Sequence, residues 1–220
     1  MATENVGTMI QDVKDETHWP SEDAAIIRHL VSSLRHYRRR RFYFSEKSDS
    51  FPTINGVSEY ERTTHYPADL LEIDSLRVVS GNGEITCTRL SLTEIRDRQS
   101  NSAASRNSPI YYSWYGDKLI LFPTPGGVWT VKVDYLFDST RDETAGTEID
   151  GSDLTMTNEY FRRGSELLRT RIIYALSLGR AEDPTMAIAV KTMNTESDQS
   201  LTLETFQRRL GSGFVAARCF

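Results

Sequence analysis

The fold of this chain is decided by residues 110–137, which read IYYSWYGDKLILFPTPGGVWTVKVDYLF. Gly116 and Asp117 stand between two apolar, aromatic-rich runs, and such a pair is typical of a two-residue hairpin turn. From 129 to 137, apolar residues alternate with mostly polar ones, which predicts a strand with one buried and one solvated face. This stretch therefore places antiparallel β structure at the centre of the chain.

The β pattern extends upstream to about residue 42. Two strand-like runs, 75–80 and 84–89, flank a Gly-Asn-Gly turn and predict another hairpin. The segment 92–98 is expected to form a short helix. The segment from Asn101 to Ser108 is rich in Ser, Asn and Ala, which indicates an exposed loop.

Helical periodicity dominates the chain before the β-rich middle. It predicts a first helix over about 4–16 and a second helix that has Ser21 as its N-cap and ends in an arginine run. The second helix is expected to bury one face, formed by Ile27, Leu30, Val31, Leu34 and Tyr37.

Three helices are predicted after the β-rich middle. The first spans about 156–179, and its Phe161, Leu168 and Ile172 are expected to pack on the second N-terminal helix. The next spans 184–194, with Asp183 as its N-cap. The last ends at Gly211 and is supported by Leu203, Phe206 and Leu210.

The chain is thus predicted to be an α+β protein, a helical core with an inserted antiparallel β-rich domain. N-terminal helices of the core occupy 1–41, and the β-rich insertion with its long loops occupies 42–153. The C-terminal helices of the core occupy 154–211, and a tail follows over 212–220.

Composition excludes several classes of protein. The 220 residues are 38% hydrophobic and 26% charged, which is ordinary for a globular protein and too apolar for a disordered chain. No apolar run is long enough for a membrane span, and the N-terminus does not resemble a secretory signal, so synthesis in the cytosol is expected. Cys87 and Cys219 match no metal or redox spacing and are expected to be free thiols.

The sequence carries no recognisable catalytic motif. It has no phosphate-binding loop, no dinucleotide-binding fingerprint and no nucleophile elbow. No group of cysteines or carboxylates with metal-ligand spacing accompanies the four histidines, which are His18, His29, His36 and His65. We therefore expect no enzymatic activity, no metal and no cofactor.

Charge is segregated along the chain, whose net charge is −5. Residues 138–153 hold six acidic residues and one basic residue. The second predicted helix ends in five arginines: Arg35, Arg38, Arg39, Arg40 and Arg41. With the aromatic residues beside them, these arginines either face nucleic-acid phosphates or complement the C-terminus of their own helix, and the sequence leaves both interpretations open.

The chain resembles the head-to-tail adaptor, or connector, proteins of tailed bacteriophages. One motif that carries the resemblance is YPADLL at 66–71, similar to the family's Pro-x-Asp followed by apolar residues. The other comprises PIY at 109–111, GDKLILFPTP at 116–125 and an alternating strand that ends in DY at 134–135. The order of helices, β-rich middle and helices also fits. The arginine run and the acidic stretch match no family pattern.

The resemblance implies a structural virion protein at the neck of the particle, synthesised in the host cytoplasm. Twelve copies would form a ring under the portal protein and join it to a tail or nozzle protein, with genomic DNA passing through the lumen. No membrane partner is implied. Two alternatives stay open: a nucleic-acid-binding module that uses the arginines, and a tail completion or tail tube protein of the same particle.

Three groups of residues are predicted to make these contacts. The apolar tail is expected to dock on the portal through Phe214, Val215, Arg218 and Phe220, and the alternative is that it folds back on its own core. The arginine run is expected to face the DNA channel or an acidic patch of a neighbouring copy, such as 138–153. Contacts with the tail are assigned to the turn at Gly116 and Asp117 and to the loop from Asn101 to Ser108.

Overall fold

A computed structural model of the chain describes residues 5–18, 22–62, 64–81, 83–101, 106–180 and 184–216. Within these ranges it confirms the predicted α+β class. The chain divides into two compact units: a helical unit, formed by Met1–Glu46 with Asp138–Phe220, and a β unit, Lys47–Phe137. In the described ranges, no helix combines the length and the apolarity that crossing a membrane requires.

The helices lie close to their predicted places. They are α1 (Val6–Thr17), α2 (Asp23–Tyr37), α3 (Leu92–Asn101), α4 (Glu159–Arg163), α5 (Ser165–Arg180) and α6 (Pro184–Ala216). The strands are β1 (Glu46–Pro52), β2 (Glu59–Glu61), β3 (Leu70–Ser80), β4 (Gly83–Thr86), β5 (Thr88–Arg89), β6 (Arg106–Asn107), β7 (Tyr111–Tyr115), β8 (Lys118–Phe122), β9 (Thr124–Pro125) and β10 (Thr130–Phe137).

The two N-terminal helices form where their periodicity predicts them, but the buried face of α2 is rotated from the predicted one. The side chain of Asn5 accepts a hydrogen bond from the Thr8 N–H and so caps α1. Glu22 occupies the N-cap position of α2 without a side-chain capping hydrogen bond, while the predicted cap Ser21 lies outside the described residues. The buried face of α2 is also offset from the predicted one, because Ile27 and Val31 are only half-buried. Its members are Ile26, Leu30, Ser33, Leu34 and Tyr37.

The predicted helix over 156–179 is two helices, α4 and α5, separated by Gly164. A Cβ at Gly164 would lie 3.1 Å from Cζ of Phe44, so the backbone bends where that ring approaches it. The predicted core residues are all fully buried, and α5 packs against α1, α2, α4 and α6. They are Phe161, Leu168 and Ile172.

The C-terminal third corrects the sequence prediction most strongly. The two helices expected over 184–194 and up to Gly211 are one continuous helix, α6, of 33 residues. Gly211 does not end it, because a glycine inside a helix costs only about 1 kcal/mol relative to alanine. Pro184 stands at the first helical position as expected, and the predicted cap Asp183 lies outside the described residues.

The β unit consists of small sheets built on the two predicted hairpins. One sheet has the order β1-β10-β3-β4 and another the order β2-β8-β7-β5, while β6 pairs with β9. In the hairpin β7–β8, Tyr115 pairs with Lys118 across the turn, and in the hairpin β3–β4, Ser80 pairs with Gly83. The short strand β9, Thr124–Pro125, follows shortly after β8.

The strand with the clearest alternation in the sequence, β10, is a central strand of the sheet β1-β10-β3-β4. Along β10, Val131, Val133 and Tyr135 are buried, while Lys132 and Asp134 are half-buried on the other face. Partial burial opposes ionisation of Asp134, but hydrogen bonds from Ser48 and Ser75 and the charge of Arg77 lower its pKa. Burial on one face of the strand and ion pairing on the other thus fix this sheet.

Candidate functional site

The arginine run meets the acidic stretch 138–153 inside the same helical unit. Arg38 donates from Nε to Oδ1 of Asp138 over 2.9 Å and from Nη2 to Oδ2 over 2.6 Å. Asp138 is only 1% exposed, and Oδ1 also accepts from the N–H and the hydroxyl of Thr140. The result is a two-pronged arginine–carboxylate pair whose acid is held by further donors.

Hydrogen bonds of the next residue, Ser139, hold Asp138 beside α2. Directly after β10, Ser139 donates its hydroxyl to the carbonyl of Leu34 over 2.8 Å, which ties the segment to the helix. Asn158, which is fully buried, then donates from Nδ2 to the carbonyl of Ser139 over 2.8 Å. The start of the acidic stretch is therefore bound both to α2 and to the residue that caps α4.

Three other arginines of the run also have partners in their own subunit. Arg35 donates to Glu148 over 2.9 Å, Arg40 lies 3.5 Å from Asp198, and Arg41 lies 3.7 Å from Glu46. All three arginines are partly exposed, so each pair contributes little stability but lowers the local positive charge. Arg39 is exposed and, within the described part of the chain, has no carboxylate within 4 Å.

The aromatic residues beside the arginines belong to the core of the helical unit. Tyr37 and Phe42 are each 2% exposed and pack with Phe44 and Tyr160. The hydroxyl of Tyr160 donates to the carbonyl of Tyr37 over 3.0 Å, and burial raises its pKa. Buried rings cannot stack on nucleotide bases, so these two aromatics stabilise the fold instead of forming a nucleic-acid platform.

The ring of Tyr43 is likewise in contact with cationic side chains of its own subunit. The guanidinium of Arg208 on α6 lies 3.8 Å from the centre of its ring, and that of Arg163 on α4 lies 6.0 Å away. Such contacts between a cation and an aromatic face are attractive. The Tyr43 N–H also donates to the hydroxyl of Thr205 over 3.0 Å, so the segment after α2 is bound to α6.

His36 lies within this basic surface. Partial burial lowers its pKa, and the charges of Arg171 and Arg40 lower it further, while Asp198 opposes them. His36 therefore favours its neutral form, which avoids one more cation beside the arginines.

The predicted tail-facing residues lie in the β unit. Gly116 and Asp117 form the β7–β8 turn with φ of 58° and 63°, and both are exposed. Asp117 accepts a hydrogen bond from Nη2 of Arg62 over 2.6 Å, which fixes the turn. Asn101 is the last residue of α3 and Ser108 is half-buried, while 102–105 lie outside the described residues.

The predicted portal-binding residues lie at the end of the chain. Phe214 and Val215 belong to the last turn of α6, and their side chains lie outside the described set. Arg218 and Phe220 lie outside the described residues altogether. The helix itself corrects one expectation, because 212–216 continue α6 instead of forming a separate tail.

An exposed apolar surface on α6 was missed by sequence reasoning. Ile188, Leu203 and Phe206 are 66%, 56% and 58% exposed, whereas the sequence assigned Leu203 and Phe206 to an ordinary core-packing helix. At 100° per residue these three positions fall within about 60° of one another. Val190 and Thr205, which are buried, fall on the other side of the helix. A helical projection over 184–206 could have separated the two faces.

The acid of the YPADLL motif has a structural role in the β unit. Asp69 is buried and accepts hydrogen bonds from Nζ of Lys47 over 2.8 Å and from the hydroxyl of Tyr135 over 2.9 Å. Burial raises the pKa of Tyr135, and the charge of Asp69 raises it further, so the phenol stays a donor. This contact joins the YPADLL motif at 66–71 to the DY motif at 134–135.

No group of three or more histidine, cysteine or acidic side chains in the described ranges is placed to hold a metal ion. Cys87 is a free, buried thiol whose pKa burial raises to about 12, which keeps it protonated and unreactive. Cys219 lies outside the described residues.

A family model described as SU10 adaptor protein matches residues 4–210, which include both units and both motifs that suggested a resemblance. No curated protein matches the chain.

Proposed function

The chain belongs to the SU10 adaptor protein family, and from this premise we propose that it forms the ring that joins the portal to the tail. The family makes it a structural component of a phage virion. The observation that carries the proposal is the family match over residues 4–210, which spans the helical and the β unit alike. Twelve copies, placed at the neck, would surround the exit channel of the genomic DNA.

The way in which the helical unit holds its charges supports a structural role. Arg35 and Arg38 pair with the acidic stretch, Arg40 and Arg41 lie near other carboxylates of the same subunit, and the neighbouring Tyr37 and Phe42 are buried. A subunit that carries its own rigid core suits a ring in which each copy meets two neighbours through different surfaces.

Contacts with DNA in the lumen would then involve few arginines. Among the arginines between positions 28 and 41, only Arg28 and Arg39 are exposed without a carboxylate within 4 Å among the described residues. Arg35, Arg38, Arg40 and Arg41 are already paired and would contact phosphates only by exchanging partners. We therefore place weak, sequence-independent DNA contacts at Arg39 first, which favours an adaptor over a dedicated nucleic-acid-binding module.

The C-terminal part of α6 is the proposed portal contact. The predicted anchors Phe214 and Val215 would be presented by a helix, and Arg218 and Phe220 would follow it. An amphipathic helix that lays apolar side chains into a groove is a common mode of recognition. The exposed turn at Gly116 and Asp117 and the segment from Asn101 to Ser108 are proposed for the tail or nozzle protein, because exposed loops on a rigid sheet often carry contacts.

Assembly with the portal protein of the same phage tests this proposal. The full chain, mixed with assembled portal, should give a larger complex in light scattering and a ring of added density in electron images. The chain alone should shift DNA weakly, with a shallow dependence on salt. A tight DNA shift with a steep salt dependence, together with no binding to the portal, would favour the nucleic-acid-binding alternative.

Truncation after Gly213 tests the portal contact itself. We expect the truncated chain to keep the thermal stability of the full chain and to lose most of its affinity for the portal. The matched control is Tyr115→Ser, which removes an exposed aromatic side chain from the β unit. Unchanged affinity of the truncated chain would refute portal docking, and unfolding would show that the segment belongs to the core of the subunit.

A further inference from the structure

The exposed apolar face of α6 lacks a partner within its own subunit. Ile188, Leu203 and Phe206 are each more than half exposed and project on one side of the helix, Leu203 and Phe206 one turn apart and Ile188 about 22 Å before them. The exposed positions between them on this side are polar: Thr192, Thr195 and Gln199. We call these three residues the α6 stripe. The opposite side of α6 packs against α5 and carries the buried Val190 and Thr205. Leu203 and Phe206 are two bulky apolar side chains exposed one turn apart, and such apolar patches are common at interaction sites.

A second surface with apolar side chains lies on α2. An open groove is lined by the apolar side chains of Ala24, Ile27 and Val31 and bordered by Arg28, Arg35 and Asp150. We call it the α2 groove. Gly151 shapes its wall, since its φ is 86° and a Cβ there would overlap Ile27. A larger residue at this position would push the 148–152 segment away from the helix.

The two surfaces lie on different sides of the helical unit. Both α2 and α6 turn their buried faces toward α5, which packs against each of them. Arg28 and Arg35 fall on α2 opposite its buried Leu30 and Tyr37, at 100° per residue. The α6 stripe likewise lies opposite the residues that α6 buries. One subunit therefore carries two distinct outward faces, which is what a head-to-tail contact between identical copies requires.

We propose that the α6 stripe of one copy docks in the α2 groove of the next copy, and that this contact closes the ring. The inference rests on the proposed function, because it names the surfaces by which the adaptor copies join. Burial of the three apolar side chains would supply the attraction. The arginine run would remain paired inside each subunit and would contribute little to the contact between copies.

Charges beside the two surfaces also match. Glu196 on α6 is exposed, lies next to the stripe on the helical projection and has no cation within 4 Å among the described residues. Arg28, at the border of the groove, is likewise exposed and has no carboxylate within 4 Å in the described ranges. When copies join, these unpaired opposite charges would face each other at the rim, where they set register and partner choice.

A cross-linking experiment tests the proposed contact on the portal-bound full chain. Cysteines are placed on the two surfaces by Arg28→Cys and Glu196→Cys in a background of Cys219→Ser, and a short bismaleimide joins nearby pairs. The double variant should give a ladder of covalent multimers that extends to the full ring. An equal mixture of the two single variants should give covalent dimers only, and each single variant alone should give none.

A stripe variant supplies the energetic test. Phe206→Ser should weaken association between copies about 30-fold, the effect of losing an interface hot spot, and leave the thermal stability of the isolated subunit unchanged. Tyr115→Ser, which alters a similarly exposed aromatic residue outside the helical unit, should have no effect on association.

The outcomes separate this inference from the proposed function. If the double variant assembles on the portal but gives no ladder, the contact between stripe and groove is refuted and the adaptor function stands. If Phe206→Ser and Tyr115→Ser associate equally well, the stripe is likewise refuted. If the unaltered chain does not bind the portal at all, the proposed function fails first.

Discussion

The arginine end of α2 and the exposed face of α6 lie in the same helical unit, but they depart from the sequence expectation in opposite directions. The arginine run looks like an interaction surface in sequence, yet four of its five members have acidic partners in their own subunit. The apolar residues of α6 look like core residues in sequence, yet three of them are more than half exposed. Oppositely charged segments can therefore pair within one subunit, and apolar residues at helical spacing can lie on an exposed surface.

The two regions differ in whether their side chains find a partner within the subunit. Arg38 reaches Asp138 because the next residue, Ser139, is hydrogen-bonded to the carbonyl of Leu34 on α2, a contact between residues far apart in the sequence that only the fold creates. The α6 stripe remains exposed because a helix that packs on one neighbour buries only one of its faces. We expect mutations in the two regions to separate stability from assembly.

The largest expected effect contrasts a core leucine with a stripe leucine. Leu168 on α5 is fully buried, so Leu168→Ala should lower the free energy of unfolding by about 2–5 kcal/mol. Leu203→Ala is the matched control and should change it by no more than about 0.5 kcal/mol, because that side chain is 56% exposed. Urea denaturation of the two variants gives both values, and equal losses would show that α6 buries its outer face in the subunit.

The next effect sharpens the role of the internal ion pairs. Asp138→Asn removes the charge from a buried carboxylate that accepts four hydrogen bonds, so we expect a loss of about 2–3 kcal/mol. Glu148→Gln affects the exposed pair with Arg35 and should cost no more than about 0.5 kcal/mol. If calorimetry finds the two variants equally stable, Arg38 is not held by Asp138 in solution.

The smallest effect concerns pH at the arginine end of α2. Because the pKa of His36 is lowered from 6.5 by burial and by neighbouring arginines, the folded state binds this proton less tightly than the unfolded state does. Stability should therefore fall as the pH drops through about 6.5. His36→Gln should flatten this decline between pH 7.5 and 5.5 in urea titrations. If the decline stays equally steep in His36→Gln, another group takes up the proton. His29, whose pKa is also lowered, is the residue to compare.

Local patterns were sufficient to predict much of the fold. The hairpin at Gly116 and Asp117 and the alternating strand β10 follow from period two and turn chemistry, and both are present. Helices α1 and α2 follow from period 3.6. These elements were predictable because each depends on neighbours that are close in sequence.

Features that depend on distant residues were not predictable. The break at Gly164 lies where the ring of Phe44, 120 positions away along the chain, closely approaches the backbone. The continuous α6 was missed because glycine was interpreted as a helix end, although its cost inside a helix is small. At the candidate site, the sequence identified the arginines and the acidic stretch but not that Arg35 and Arg38 pair with it inside one subunit.

The most direct test of the central claim is a reconstruction of the adaptor ring bound to its portal, at a resolution that shows side chains. The account predicts that Leu203 and Phe206 of each copy lie against α2 of the next copy, while Arg38 remains bound to Asp138 of its own subunit. It would be contradicted by a ring in which the α6 stripe faces solvent and the arginine run pairs with the acidic stretch of a neighbouring copy.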